Sequence, residues 1–145
     1  DDVLSAMSVE LAEQRDFLHD KRIRTIYFGG GTPSLLEPSL IGELVEQVGA
    51  LFDCSAVEEF TVEANPDDIT PEYAAGLRKI GVNRISLGVQ SFNDEELKFM
   101  NRRHTARAAE LAVKTLQDVG FDNITVDLIF GVDGFGEEVL RQSVE

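Results

Sequence analysis

The chain has 145 residues, 43% of them hydrophobic and 28% charged, the composition of a globular domain with room for one core. Its 27 Asp and Glu against 13 Lys and Arg give a formal net charge of -14, which opposes binding to nucleic acid or to an anionic lipid surface. A single cysteine, Cys54, allows no internal disulfide, and no apolar run reaches membrane length, so a reducing cytoplasm is the expected compartment.

The chain opens on Asp1-Asp2 without an initiator Met and passes straight into a helical pattern (Val3, Leu4, Met7, Leu11, Phe17, Leu18). A strand, Ile26-Tyr27-Phe28, then runs into Gly29-Gly30-Gly31-Thr32-Pro33. Pro38 opens a helix with Leu40, Ile41, Leu44, Val45 and Val48 at helical spacing and Gly49 near its end. Phe60-Thr61-Val62 leads into Glu63-Ala64-Asn65-Pro66, after which Thr70-Pro71 supplies an N-cap and a first-turn proline for a short helix that stops at Gly81. Ile85-Ser86-Leu87-Gly88-Val89 ends at Gln90, and Asn93 with Glu96 forms a capping-box-like helix start, Asp94 and Glu95 suiting its positive end. A helix from about Ala106 to Val119 stops at Gly120. The strand from Ile124 to Phe130 runs into Gly131, and the chain ends within a helical pattern at Val139, Leu140 and Val144. The repeat is architectural only: strand and amphipathic helix alternate, which predicts an α/β fold of about four parallel βα units, roughly half of a β/α barrel of typical length. Both termini lie in helical patterns, so a single domain over 1–145, cut from a longer protein, is expected.

In such folds ligands bind at the carboxyl ends of the strands, and here those ends are polar or glycine-rich. Gly29-Gly30-Gly31-Thr32 can expose several N–H donors without Cβ obstruction, either as a cradle for a charged group or as a tight turn packed on a neighbour. It is neither a P-loop nor a Gly-x-Gly-x-x-Gly fingerprint. Glu63 offers an acceptor for an ammonium or for ribose hydroxyls, or else pairs with a neighbouring cation at the rim. Asp127, in an otherwise apolar strand, requires a designated partner, which is either structural, for example Arg84, or a ligand. Gln90 brings a donor and an acceptor to a strand-to-helix turn. Arg102, Arg103 and His104 are the one basic cluster of the second half, as a helix carboxyl end would favour. His19 and His104 lack companions for a zinc site, Cys54 reads as a small hydrophobe, and no serine nucleophile elbow is present.

Three segments carry a specific resemblance: Tyr27-Phe28-Gly29-Gly30-Gly31-Thr32-Pro33-Ser34-Leu35-Leu36, Glu63-Ala64-Asn65-Pro66, and Gly81-Val82-Asn83-Arg84-Ile85-Ser86-Leu87-Gly88-Val89-Gln90-Ser91-Phe92. In order and without large gaps, the chain from Lys21 to Gly131 resembles radical S-adenosylmethionine enzymes of the oxygen-independent coproporphyrinogen III oxidase type and their haem-chaperone relatives. The resemblance implies that Gly30, Gly31 and Thr32 contact the methionine moiety of S-adenosylmethionine. It assigns further cofactor contacts to Glu63, Gln90, Arg102 and Asp127, and no general acid or base.

Two departures stand out. The family's Cys-x-x-x-Cys-x-x-Cys motif, which holds a [4Fe–4S] cluster, is absent, so the chain alone is expected to bind no cluster and to be inactive. The segment Gly131-Val132-Asp133-Gly134-Phe135-Gly136 stands where the family reads Gly-Leu-Pro-Gly-Gln-Thr. The implied activity of the whole protein is oxidative decarboxylation of porphyrinogen propionates in haem biosynthesis, with an electron donor as partner. The alternative is a haem chaperone of the same family, toward which Glu63-Ala64-Asn65-Pro66, Gln90-Ser91-Phe92 and Arg103-His104 lean. A generic β/α-barrel metabolic enzyme would need a late phosphate loop that is not in this chain.

Overall fold

A computed structural model describes residues 2–144. Four strands, β1 (Thr25–Phe28), β2 (Glu59–Ala64), β3 (Arg84–Gln90) and β4 (Ile124–Leu128), form one sheet in the order β1-β2-β3-β4. Every adjacent pair is parallel, as the βα succession requires, with Phe28 opposite Val62, Glu63 opposite Ser86 and Ser86 opposite Thr125. The helices are α1 (Asp2–Glu13), α2 (Pro38–Leu51), α3 (Pro71–Lys79), α4 (Asp94–Phe99), α5 (Ala106–Asp118) and α6 (Glu137–Val144).

Two boundaries differ from the periodic reading. α1 ends at Glu13 and a single 3-10 turn follows, so Phe17 and Leu18 stand outside it and are exposed. β4 ends at Leu128 rather than Phe130; Ile129 donates its N–H to the Gln90 carbonyl, and Phe130 is exposed.

Side-chain alternation in the strands divides the sheet into two chemically distinct faces. Phe60, Val62 and Ala64 of β2 and Ile85, Leu87 and Val89 of β3 are buried in the core with Ile41, Ala74, Leu77, Ala109, Ala112 and Leu116 from the helices. Burying each large aliphatic side chain contributes about 1.5–3 kcal/mol. The other face carries Glu59, Thr61 and Glu63, Arg84 and Ser86, and Thr125 and Asp127.

Local chemistry fixes the helix ends. Thr70 and Thr105 hydroxyls accept the N–H groups of Tyr73 and Ala108, capping α3 and α5. The Asn93 carboxamide accepts the Glu96 N–H, but the return bond of a capping box runs through a third residue. Ser91 Oγ donates to the buried Glu96 carboxylate at 2.5 Å and accepts the Asn93 N–H at 3.0 Å. At the far ends of α3 and α5, the N–H groups of Val82 and Phe121 reach back to the carbonyls of Leu77 and Leu116, which delivers both apolar side chains into the core.

One core group is poorly served: the Tyr73 hydroxyl is buried without a partner among the described residues, and burial, followed by the charges of Asp68 and Glu37, pushes its pKa up to about 12. A folded-state value above the ordinary 10.0 means the folded chain holds this proton more tightly than the unfolded chain. The associated stability is fully present below pH ~10 and is lost as pH rises toward ~12. Tyr73→Phe removes an unsatisfied polar group at nearly constant volume, so urea unfolding is expected to show equal or higher stability at neutral pH and a shallower loss between pH 10 and 12. A variant clearly less stable at neutral pH would show that the hydroxyl has a partner in solution.

Candidate functional site

The carboxyl ends of the four strands enclose an open cleft of about 280 Å³, lined by Gly31, Thr32, Glu63, Asn65, Ser86, Gly88, Gln90, Arg102 and Asp127 among others. Six of the seven residues selected from the sequence line it. The seventh, Gly30, is not part of the lining and donates its N–H to Glu63 Oε2 at 3.1 Å. Gly30 and Gly31 have φ of 79° and 56°, a left-handed pair that other residues adopt only at a cost. The loop is thus both a turn and a cradle: one donor orients the Glu63 carboxylate while Gly31 and Thr32 face the cleft.

Glu63 sits next to the last residue of β2, and its second oxygen accepts the Tyr27 hydroxyl of β1 at 2.6 Å. That bond, followed by desolvation and the charges of Glu63 and Asp127, raises the Tyr27 phenol above its ordinary value of 10.0. The chain has two tyrosines, so in a Tyr73→Phe background phenolate absorbance reports Tyr27 alone. Glu63→Gln is expected to move that titration back toward pH 10, since the charged acceptor holding the proton is gone. An unmoved midpoint would mean that the Tyr27–Glu63 bond does not form in solution.

Asp127 differs from the sequence expectation. It is exposed, not buried, because β4 alternates and places Thr125 and Asp127 on the polar face while Ile124, Val126 and Leu128 pack against the core. Nor is Arg84 its partner: the guanidinium donates to Thr125 Oγ1 at 2.8 Å and Thr61 Oγ1 at 3.3 Å, with Glu59 at 3.9 Å. Asp127 Oδ2 accepts the Ser86 hydroxyl at 2.8 Å, and Oδ1 has no protein partner among the described residues.

The basic cluster is not a helix carboxyl end acting as a unit; it follows α4 and splits three ways. Arg102 Nη2 donates to the Gly88 carbonyl at 3.2 Å and to Asn65 Oδ1 at 3.4 Å, which holds the guanidinium at the cleft. Arg103 turns away to Asp67 and Asp68 at 3.5 and 3.7 Å. His104 is buried, its Nε2 2.8 Å from the Val89 carbonyl. Cys54 is half-buried and does not line the cleft, and burial, followed by the Asp53 charge, raises its thiol pKa, the behaviour of an inert thiol.

Asn65, Ser86 and Gly88 complete the site although sequence reasoning did not select them. A Cβ on Gly88 would lie 2.9 Å from Gln90 Nε2 and 3.7 Å from Arg102 Nη2, so the bare backbone makes room for both groups. Gln90 itself has φ of 72°, and the register between β3 and β4 shifts between Leu87 and Gln90, a bulge that turns the strand end toward the cleft. Position counting supplied a signal for Ser86, two residues after Arg84 on the same face. Segment 131–136, which departs from the family pattern, contributes no residue to the cleft lining; its Phe135 packs edge-on against Phe99 with ring centroids 5.6 Å apart.

The cleft has a definite charge character: two carboxylates, one guanidinium, two carboxamides and backbone donors. S-adenosylmethionine carries an ammonium, a sulfonium and one carboxylate, and a ribose diol, so this donor set fits it in sign and number. A [4Fe–4S] cluster does not fit this chain, whose one thiol lies outside the cleft. Among the described residues no group of three or more His, Cys, Asp or Glu stands together as a metal-ligand set, and no helix is long and apolar enough to cross a membrane.

A parallel βα sheet with a polar cleft at its carboxyl end defines the class: an α/β protein of the kind that binds ligands at its strand ends. The chain belongs to the radical SAM superfamily, whose family model matches residues 8–145. It is 41% identical over 142 residues to the heme chaperone HemW of Lactococcus lactis subsp. lactis (strain IL1403), covering 98% of this chain and 38% of that protein. It is 39% identical over 128 residues to the oxygen-independent coproporphyrinogen-III oxidase-like protein HemZ of Bacillus subtilis (strain 168), covering 87% of this chain and 26% of that protein. Among solved structures it matches coproporphyrinogen III oxidase (HemN) from Escherichia coli, a radical SAM enzyme, with a TM-score of 0.85 at 26% identity, over 97% of this chain and 32% of that one. The chain therefore spans well under half the length of these relatives.

Proposed function

We propose that this chain supplies the S-adenosylmethionine-binding part of a haem chaperone, within one β/α-barrel domain that includes residues 1–145. Asp1 and Glu145 lie outside the described residues. The observation that carries the cofactor assignment is the charge balance of the cleft, Glu63 and Asp127 against Arg102. Bound S-adenosylmethionine supplies one-electron chemistry in this superfamily. Gly30, Gly31 and Thr32 form the loop that receives the methionine moiety. Arg102 suits its carboxylate, while Glu63 and Asp127 suit the ammonium and ribose hydroxyls, and Gln90 offers both a donor and an acceptor. Tyr27 and Ser86 hold the two carboxylates in place.

For the whole protein, handling haem is favoured over decarboxylating a porphyrinogen, because proteins named heme chaperone HemW from three bacteria match nearly the entire chain at 34–41% identity. The oxidase is the second reading, favoured by the likeness to HemN and to the oxidase-like HemZ. Either reading carries with it an electron donor and a cytoplasmic location. The deciding experiment uses the full-length protein prepared without oxygen: haem titration followed by its visible absorbance, beside conversion of coproporphyrinogen III in the presence of S-adenosylmethionine and reductant. Saturable haem binding without decarboxylated product is expected. Multiple turnovers to a vinyl product would establish the oxidase instead.

A further inference from the structure

His104 is an anomaly for a surface loop between two helices: its side chain is 1% exposed, set against the β3 backbone and the loop after β2 rather than solvent. What it touches explains the burial. The bulge in β3 takes Gly88 and Val89 out of register with β4, and the Val89 carbonyl is met by His104 Nε2 at 2.8 Å. To donate there, Nε2 must carry the proton, which leaves Nδ1 facing Asp67 Oδ2 at 3.9 Å. Asp67 also faces Arg103, and Arg103 reaches Asp68, which accepts the Ser34 hydroxyl at 2.6 Å. Ser34 in turn accepts the Asn65 N–H at 3.1 Å. The imidazole is therefore clamped from both sides, by β3 and by the loop after β2.

The carbonyl that His104 holds belongs to the peptide joining Val89 to Gln90, and Gln90 is one of two residues other than glycine with positive φ among the described residues. Such a conformation persists only where its surroundings enforce it. Its consequence is functional: it brings the Gln90 carboxamide back over Gly88, beside Arg102. Arg102, two residues before His104, is held at the cleft by its own bonds to the Gly88 carbonyl and Asn65, so the part of the site that depends on His104 is the strand end carrying Gln90.

We propose that His104 is a positioning residue for the cofactor cleft: by donating to the Val89 carbonyl it maintains the strand-end bulge that aims Gln90. This rests on the assignment of the cleft to S-adenosylmethionine. His104 touches no ligand in this scheme, and its effect on binding is transmitted through Gln90.

The test is calorimetric titration of the full-length protein with S-adenosylmethionine, without reductant, beside thermal unfolding of each variant. His104→Met keeps the volume but has no N–H donor and is expected to weaken binding about tenfold, the scale of one lost positioned hydrogen bond. His104→Asn, whose amide falls short of the carbonyl, replaces it if methionine prevents folding. His104→Gln, which can donate from a similar reach, is expected to restore affinity to within about threefold of wild type. In a Gln90→Ala background, loss of the imidazole is expected to cost less than about twofold, since the group it aims is gone. Fully multiplying losses in that double variant, or a lower melting temperature with unchanged affinity, would reduce His104 to a structural plug and overturn the inference. A wild-type protein that does not bind S-adenosylmethionine would instead overturn the cofactor assignment, and this inference with it.

Discussion

Asp127→Asn in the full-length protein is expected to weaken S-adenosylmethionine binding by about 10- to 100-fold, the loss of a charge-assisted hydrogen bond worth roughly 1.5–3 kcal/mol. The same change is expected to leave thermal unfolding nearly unaltered. Asp127 is exposed, its one protein bond is to the Ser86 hydroxyl, and asparagine keeps an oxygen that can accept that bond. Exposed substitutions of this kind stay within about 0.5 kcal/mol. Calorimetric titration and thermal melts on the same samples separate the two effects. A large fall in melting temperature with intact affinity would mean that Asp127 has a buried partner and serves the fold.

The second large effect is on stability. Phe121→Ala is expected to cost about 3–5 kcal/mol, the usual price of deleting a buried aromatic side chain. Phe121 is 2% exposed, is delivered into the core by the turn after α5, and lies under the Arg78 guanidinium, 5.2 Å from the ring centroid. Loss of that cation–aromatic contact adds about 0.5–1 kcal/mol. Against a total stability of roughly 5–15 kcal/mol, the variant is left marginal or unfolded. Urea unfolding should show a much lower midpoint with an unchanged slope. A loss below about 1 kcal/mol would mean that the site refills by repacking.

The succession of elements was legible because each carries a local signal: Thr70-Pro71 starts α3, Gly120 follows the end of α5, and apolar residues recur at helical spacing in α2. The parallel pairing followed from the right-handed preference of βα crossovers, so Thr32, Glu63, Gln90 and Asp127 were bound to meet at one end of the sheet. The chemical roles proposed for these residues come from family resemblance, since neither spacing nor composition could assign them.

Other features were decided only in three dimensions. Asp127 looked buried because β4 is rich in apolar residues, yet in a pleated strand a single position determines the face, and pairing with β3 sets which face meets the helices. Arg102, Arg103 and His104 are adjacent in sequence but go to the cleft, to an acidic pair and to a buried carbonyl. No local rule separates them, because each destination lies on a segment distant in the chain: Asn65, Asp67 and Asp68 after β2, and Gly88 and Val89 within β3. The sequence by itself determined the parallel βα order and the polar strand ends, since helix caps, hydrophobic period and crossover handedness act over short range. The tertiary structure alone decided which groups those ends share, because the bulge before Gln90 and the approach of Arg102 over Gly88 arise from packing between segments remote in the chain.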